Sequence, residues 1–353
     1  MAGRKRRSTK TGLPPGALVH LGERKIDHAA IGLIEYGPDN LGERQFQSIE
    51  ESRNFEPTQP VLWLNVHGLH EPEVMAEIGR RFKLHPLVLE DILNTDQRPK
   101  LDDYGDYLFL VARFFDYDDK DLTVTSEQVS MVIGRNFVLT FQERPTGNFN
   151  PIRDRLRENR GQIRRLGADY LAYALLDTVV DRYFAVLEGI GERAEQLEEE
   201  LMLKATPRVL ETLHFLKRET VTLRRAVWPL REIINGLTRG NGFFGAEVQP
   251  YLRDIYDHTV HVIESLEAIR DLIAGLLDIY LSTISNRVNQ EVRVLTVIAL
   301  IFMPSTLLAG IFGMNFKVMP LLDNPNGFGI VVGLMLCVAA TLGLIFWRRK
   351  WLG

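Results

Sequence analysis

The sequence predicts an α/β N-terminal domain, a series of long helices after it, and a two-helix membrane part at the C-terminus. Three observations carry this. Short β-branched or aromatic runs bounded by Gly, Asp or Asn occupy Ala17 to about Arg144, with helical segments between them. From Pro151 the apolar spacing becomes helical, and no proline interrupts it between Pro250 and Pro304. Finally, Val294–Phe312 and Phe328–Trp347 carry no charged residue, and each would span roughly 28 to 30 Å as a helix, the thickness of a bilayer core.

Composition narrows the function classes. With 45% hydrophobic and 25% charged residues among 353, most of the chain lies outside lipid. A net charge of -4, without a zinc-finger or aromatic-basic pattern, excludes nucleic acid as the partner. The only cysteine, Cys337, sits inside the second apolar run, so one chain builds neither a disulfide framework nor a thiolate metal site. The opening MAGRKRRSTK is basic but has no apolar segment behind it, so residues 1–16 read as a solvated cytoplasmic tail rather than a secretory leader. No Gly-rich loop follows a strand and no serine elbow is present, which points away from an enzyme.

In the α/β domain, residues 17–147, strands are expected at Ala29–Tyr36, Val61–Val66, Tyr107–Phe115, Thr123–Ile133 and Phe137–Phe141. Pro72–Phe82 and Pro86–Leu93 open with a proline suited to a first helical turn. Pro151 to Leu237 reads as helical throughout, within a hairpin region of residues 148–245. There Ala168–Leu203 carries Leu171, Leu175, Val179, Phe184 and Leu187 and ends in a solvated run of glutamates, Glu192 to Glu200. Pro207 opens an antiparallel partner after the turn Lys204–Thr206, and Gly236, Gly240, Gly242 and Gly245 mark the loop beyond.

A stalk, residues 246–292, then continues without a break into the first span, so that Tyr251–Phe312 forms one helix of roughly 90 Å. Its stripe of Leu252, Ile255, Val262, Leu266, Ile269, Ile273 and Leu276 cannot be covered by the two spans, and symmetric self-association is the expected way to bury it. The spans are 293–313 and 328–347, joined by an outer loop 314–327 and followed by a basic tail 348–353. Arg287 and Arg293 before the first span, and Arg348, Arg349 and Lys350 after the second, place both termini in the cytoplasm and the loop outside.

Stepping from Asn289 by three or four residues brings Val292, Leu295 or Thr296, Ala299, Met303, Thr306 and Gly310 to one side of the first span. Neither span contains Asp or Glu, so a cation passing this line is not held by carboxylates. Magnesium sheds water reluctantly, and neutral oxygens at Gly313 and Asn315 suit its hydrated form. By residue type alone, Gly310 and Gly313 read equally as helix-ending glycines and Asn315 as a turn residue.

The triplet Gly313, Met314 and Asn315, after IFMPSTLLAGIFGMNF and between two C-terminal spans, resembles the signature of the CorA family of magnesium and cobalt channels. HPLVLEDILNTDQRPK, YLRDIYDHT and SNRVNQEVRVLTVIA are similar to family segments in the same order. The resemblance implies a homo-oligomeric, pentameric funnel in the cell membrane, with divalent cations and lipid as partners and Mg2+, or Co2+, as the transported ion. It also implies that Asn315 forms an outer selectivity ring, that Leu295 and Met303 form hydrophobic constrictions, and that the hairpin lies beside the pore stalk. No catalytic cofactor is expected.

Three acidic sets could sense metal: Glu90 with Asp91, Asp177 with Asp181, and Asp254 with Asp257. Taken singly they read as solvated carboxylates. The resemblance assigns Asp91 and Asp254 to a magnesium site between neighbouring subunits and Glu90 and Asp177 to a second site nearby, both regulatory. His258 reads as a packing residue. Lys317 and Leu321 stand where relatives often carry acids, leaving Asp323 as the outer loop's carboxylate, and Asp96 stands where relatives often carry His. A zinc transporter of the same fold and a non-conducting membrane-anchored metal sensor or scaffold are the alternative readings.

Overall fold

The computed structural model describes residues 12–46, 48–52, 55–118, 123–240, 242–315, 319–321, 324–349 and 351. The predicted N-terminal residues 1–11, the loop charges Lys317 and Asp323, and Lys350 lie outside the described residues. The chain divides into two compact units, one of Met1–Glu200 with Glu211–Ala274 and the other of Leu201–Leu210 with Gly275–Gly353.

The first unit is built on a mixed seven-stranded sheet. Its strands are β1 (Ala30–Tyr36), β2 (Leu41–Phe46), β3 (Val61–His67), β4 (Lys100–Asp103), β5 (Tyr107–Asp118), β6 (Thr123–Gly134) and β7 (Phe137–Gln142), in the order β2-β1-β3-β7-β6-β5-β4. Among the described strands only β3 and β7 pair in parallel. All five predicted strands are present, whereas β2 and β4 were not foreseen. Both are polar edge strands, LGERQF and KLDD, which lack the β-branched composition that marks a strand buried on a face.

Residues alternate across β5. Phe109 and Val111 join the core shared with α2 (Pro72–Arg81) and α3 (Pro86–Leu93), where Met75, Ile78, Val88 and Ile92 are buried. Phe114 points the other way, onto Phe149, and Phe115 packs on Tyr183. A short α1 (Ile49–Ser52) and α4 (Asn150–Arg157) complete the domain. Helicity was expected from Pro151 to Leu237 without interruption, but α4 ends at Arg157. Asn159 and Gly161 then adopt positive φ of 51° and 71°, and Arg164 donates to the carbonyl of Arg157 at 2.8 Å, ending the helix in a tight turn.

Helices α5 (Ala168–Leu203) and α6 (Pro207–Thr238) match the predicted hairpin. Gly236, assigned to the following loop, lies inside α6. Helix α7 (Gln249–Phe312) is one helix of 64 residues, about 96 Å long at the ordinary rise. The stripe expected to require a second chain is covered within this one: Leu252, Ile255, Val262, Leu266, Ile273 and Leu276 are all buried. The hairpin supplies the cover. Tyr170 meets Tyr251 edge-on and Tyr173 meets it at a tilt, Phe184 meets His258 edge-on, Ile269 lies beside Gly191 of α5, and Arg224 of α6 pairs with Glu267. The period-3.6 pattern was read correctly, but the hairpin was not counted as its partner.

In the second unit the C-terminal part of α7 packs on α8 (Gly327–Arg348). Val297 and Val331 are buried, and the Ser305 hydroxyl faces the Met335 carbonyl at 3.4 Å. Both helices contain windows long and apolar enough to cross a membrane, with mean hydropathy of 2.3 and 2.5.

Candidate ion pathway and metal-sensing carboxylates

The residues of α7 that meet α8 are Val297 with the half-buried Ile301, Ser305, Leu308 and Phe312, at steps of four and three. This spacing fixes the opposite face. Asn289, Val292, Leu295, Ala299, Met303, Thr306 and Gly310 all stand exposed on it, Leu295 at 68% and Met303 at 62%. A shallow, mostly apolar depression runs along this face, lined by Ala299, Met303, Thr306 and Gly310 together with Phe302, Leu307, Ile311 and Met314. The threonine hydroxyls turn back onto their own helix: Thr296 donates to the Val292 carbonyl at 2.8 Å and Thr306 to Phe302 at 3.0 Å. Their oxygen lone pairs remain free to accept from water on the exposed side.

Helix α7 stops at Phe312. The Gly313 amide donates to Ala309 at 2.9 Å and the Met314 amide to Ile311 at 3.2 Å, so Gly313 closes the last turn. Asn315, three residues beyond the helix end, is exposed.

The four candidate sensing carboxylates fall in two places. Asp91 and Glu90 are on α3. Asp91 is bound by Lys100 at 2.7 Å and by the side-chain amide of Gln97, while Glu90 accepts from the Gly16 amide at 2.5 Å. Lys100 also bonds Asp102 at 2.6 Å. Burial works against its ammonium, but the bonds to Asp102 and Asp91 outweigh burial and hold its pKa above the ordinary lysine value.

Asp177 on α5 and Asp254 on α7 form the other group. Burial, then the Asp181 charge, and more weakly Asp254, push the Asp177 carboxyl up to about 6, with His258 and Arg155 pulling the other way. Burial also raises Asp181. The His258 Nε2 lies 3.9 Å from Asp254. Thus the structure brings Asp177 into the field of Asp254, and it ties Asp91 to a lysine of its own chain. Among the described residues no three His, Cys, Asp or Glu are arranged to hold a metal ion.

The sequence reading missed Lys100, although it closes the NTDQRPK segment nine residues after Asp91. It also set His258 aside as a packing residue. The ring does pack edge-on against Phe184, and in addition it faces the carboxylates of Asp254 and Asp177.

Comparison with known proteins agrees with this architecture. Residues 58–350 match the model of the family described as CorA-like Mg2+ transporter protein. The chain belongs to the CorA family. The cobalt/magnesium transport protein CorA of Thermotoga maritima is 42% identical over 349 residues, covering 99% of each chain. The complete structure of the CorA magnesium transporter from Methanocaldococcus jannaschii superposes with a TM-score of 0.77 at 21% identity, over 93% of this chain and 99% of that one. The zinc transport protein ZntB of Yersinia pseudotuberculosis is 23% identical, covering 84% of this chain and 89% of that one. The CorA fold is therefore a mixed-sheet N-terminal domain and a long helix leading into paired C-terminal membrane helices. The family is one of transporters.

Proposed function

We propose that this chain assembles as a pentamer in the cell membrane and forms a channel for magnesium, with cobalt as a second cargo, closed by cytoplasmic magnesium. The observation that carries the reading is the exposed face of α7, free of carboxylates and ending at Gly313, Met314 and Asn315. In lipid an apolar face needs no cover. Asn289 stands on the same face just before the span, and Thr296 and Thr306, whose protons go to their own helix, keep oxygen lone pairs that a shared water-filled axis can serve. Five Asn315 amides around the axis accept hydrogen bonds from the first-shell waters of a hydrated cation, so selection does not require the ion to shed them. Leu295 and Met303 narrow the path without offering ligands. Both termini lie in the cytoplasm, from the arginines flanking the spans.

Closure uses the carboxylates. Asp91 of one subunit and Asp254 of the next share a magnesium ion, with Glu90 and Asp177 forming a second site. Each metal bound only in the closed ring biases the equilibrium by its differential affinity. Lys100 competes: its ammonium already neutralises Asp91, so magnesium must displace it.

Liposomes containing only the purified protein test the reading. Magnesium and cobalt flux, stopped by magnesium on the cytoplasmic face, is expected. Zinc flux without magnesium flux would instead support the ZntB-like reading, and no flux would leave a membrane-anchored sensor.

A further inference from the structure

We propose that the first unit carries a second ligand site, a cleft that binds the phosphate chain of a small polyphosphate, free or nucleoside-linked. The cleft has a volume of about 400 Å³ and is lined by Arg98, Arg113 and Arg225 with Gln97, Ser126 and Thr222. The three arginines come from separate elements: Arg98 from the segment between α3 and β4, Arg113 from β5 and Arg225 from α6. Asp96 is the only carboxylate on the lining, which leaves a surplus of two positive charges.

Arg113 is already positioned. Its Nε donates to Ser126 Oγ at 2.8 Å and its Nη1 to the Gln97 carbonyl at 3.2 Å, which fixes the guanidinium plane and leaves Nη2 uncommitted among the described residues. Ser126 accepts that bond, so its own proton is available to an anion. Thr222 spends its proton on the Arg218 carbonyl and offers none. Arg98 and Arg225 are exposed, and no hydrogen bond or ion pair holds either guanidinium among the described residues. Three arginines lining one cleft suit the several oxygens of a phosphate chain better than a carboxylate, which a single arginine satisfies. The volume lies in the range of small-ligand sites and exceeds what one phosphate fills. Because the arginines are far apart in sequence, no phosphate-loop motif announces the site.

None of its arginines lies on α7 or among the candidate sensing carboxylates, and the one link to those is Gln97, whose carbonyl holds Arg113 and whose side-chain amide donates to Asp91. The test uses full-length protein in detergent, without magnesium and with chelator, so that chelation by the ligand cannot act through the metal sites. Calorimetric titration with tripolyphosphate is expected to show saturable binding, weakened at least tenfold by Arg225→Glu and by Arg98→Glu, both exposed positions, and weakened by added salt. Tighter binding of ATP than of tripolyphosphate would assign the nucleoside-linked source, and equal binding the bare phosphate chain; both support the site. No saturable binding up to low-millimolar tripolyphosphate, or equal binding by both variants and the unmodified protein, overturns it.

Discussion

The two halves of α7 are one continuous helix with opposite surfaces. In the first half, Leu266 is 2% exposed and Ile273 1%, covered by the hairpin of the same chain. In the second, Leu295 and Met303 stand open at 68% and 62%. The same apolar periodicity therefore has two meanings. In water a stripe of leucines must be buried, and here its own chain does it. In lipid an apolar face is already in its preferred solvent, so what a partner would serve there is the polar minority, the hydroxyl oxygens of Thr296 and Thr306. The case for self-association thus rests on the membrane half, not on the stalk stripe.

The sharpest break of this comparison is at its outer end. Asn315→Ala is expected to reduce magnesium flux in liposomes by more than tenfold while leaving the oligomer intact by size-exclusion chromatography. Unchanged flux would remove Asn315 from the ion path. Next in size is a pair of truncations. Leu266→Ala in the stalk should destabilise the protein by roughly 2 to 5 kcal/mol in thermal or denaturant unfolding, because it leaves a cavity in a covered core. Leu295→Ala should leave stability near that of the unmodified protein and alter conduction instead. Equal stability losses would mean that Leu295 is packed like a core residue.

The candidate sensing carboxylates give smaller effects. Lys100→Met removes the ammonium that occupies Asp91, and inhibition by cytoplasmic magnesium should then appear at several-fold lower concentration. If the inhibition curve does not move, Asp91 is not the residue that meets the metal.

Asp177 supplies a pH signature. Its folded pKa lies above the ordinary 3.8, at about 6, so the native state holds a proton that the unfolded chain releases. That contribution is fully present below the ordinary value and is lost as pH rises through about 6. In metal-free protein at pH 7.5, Asp177→Asn should raise the melting temperature by roughly 2 to 4 °C, and it should flatten the fall in stability between pH 4 and 6. An unaltered pH profile would show that another group carries it. The smallest expected change is in the loop between the two spans, where, if it faces outward as proposed, Lys317→Glu should raise apparent magnesium affinity a few-fold at low salt and little at high salt.

The sequence by itself determined what depends on local pattern. The central strands β1, β3, β5, β6 and β7, the hairpin boundaries Ala168–Leu203 and Pro207, the unbroken α7 and both spans were legible, because each has a strong period, a long uncharged run or a proline at its start. The exposed face of α7 could also be written from Asn289 onward, because helical geometry alone orders it. Tertiary structure decided the rest. Polar β2 and β4 become strands only because a neighbour offers a free edge, and the stalk stripe is satisfied in cis because the two preceding helices of the chain fold back over it. Asp254 in the field of Asp177 and three arginines around one cleft are pairings across large sequence separation, and Lys100 reaches Asp91 only because β4 turns back beside α3. Charge interactions act through space, and no local spacing rule records which distant side chains the sheet and the hairpin will bring together.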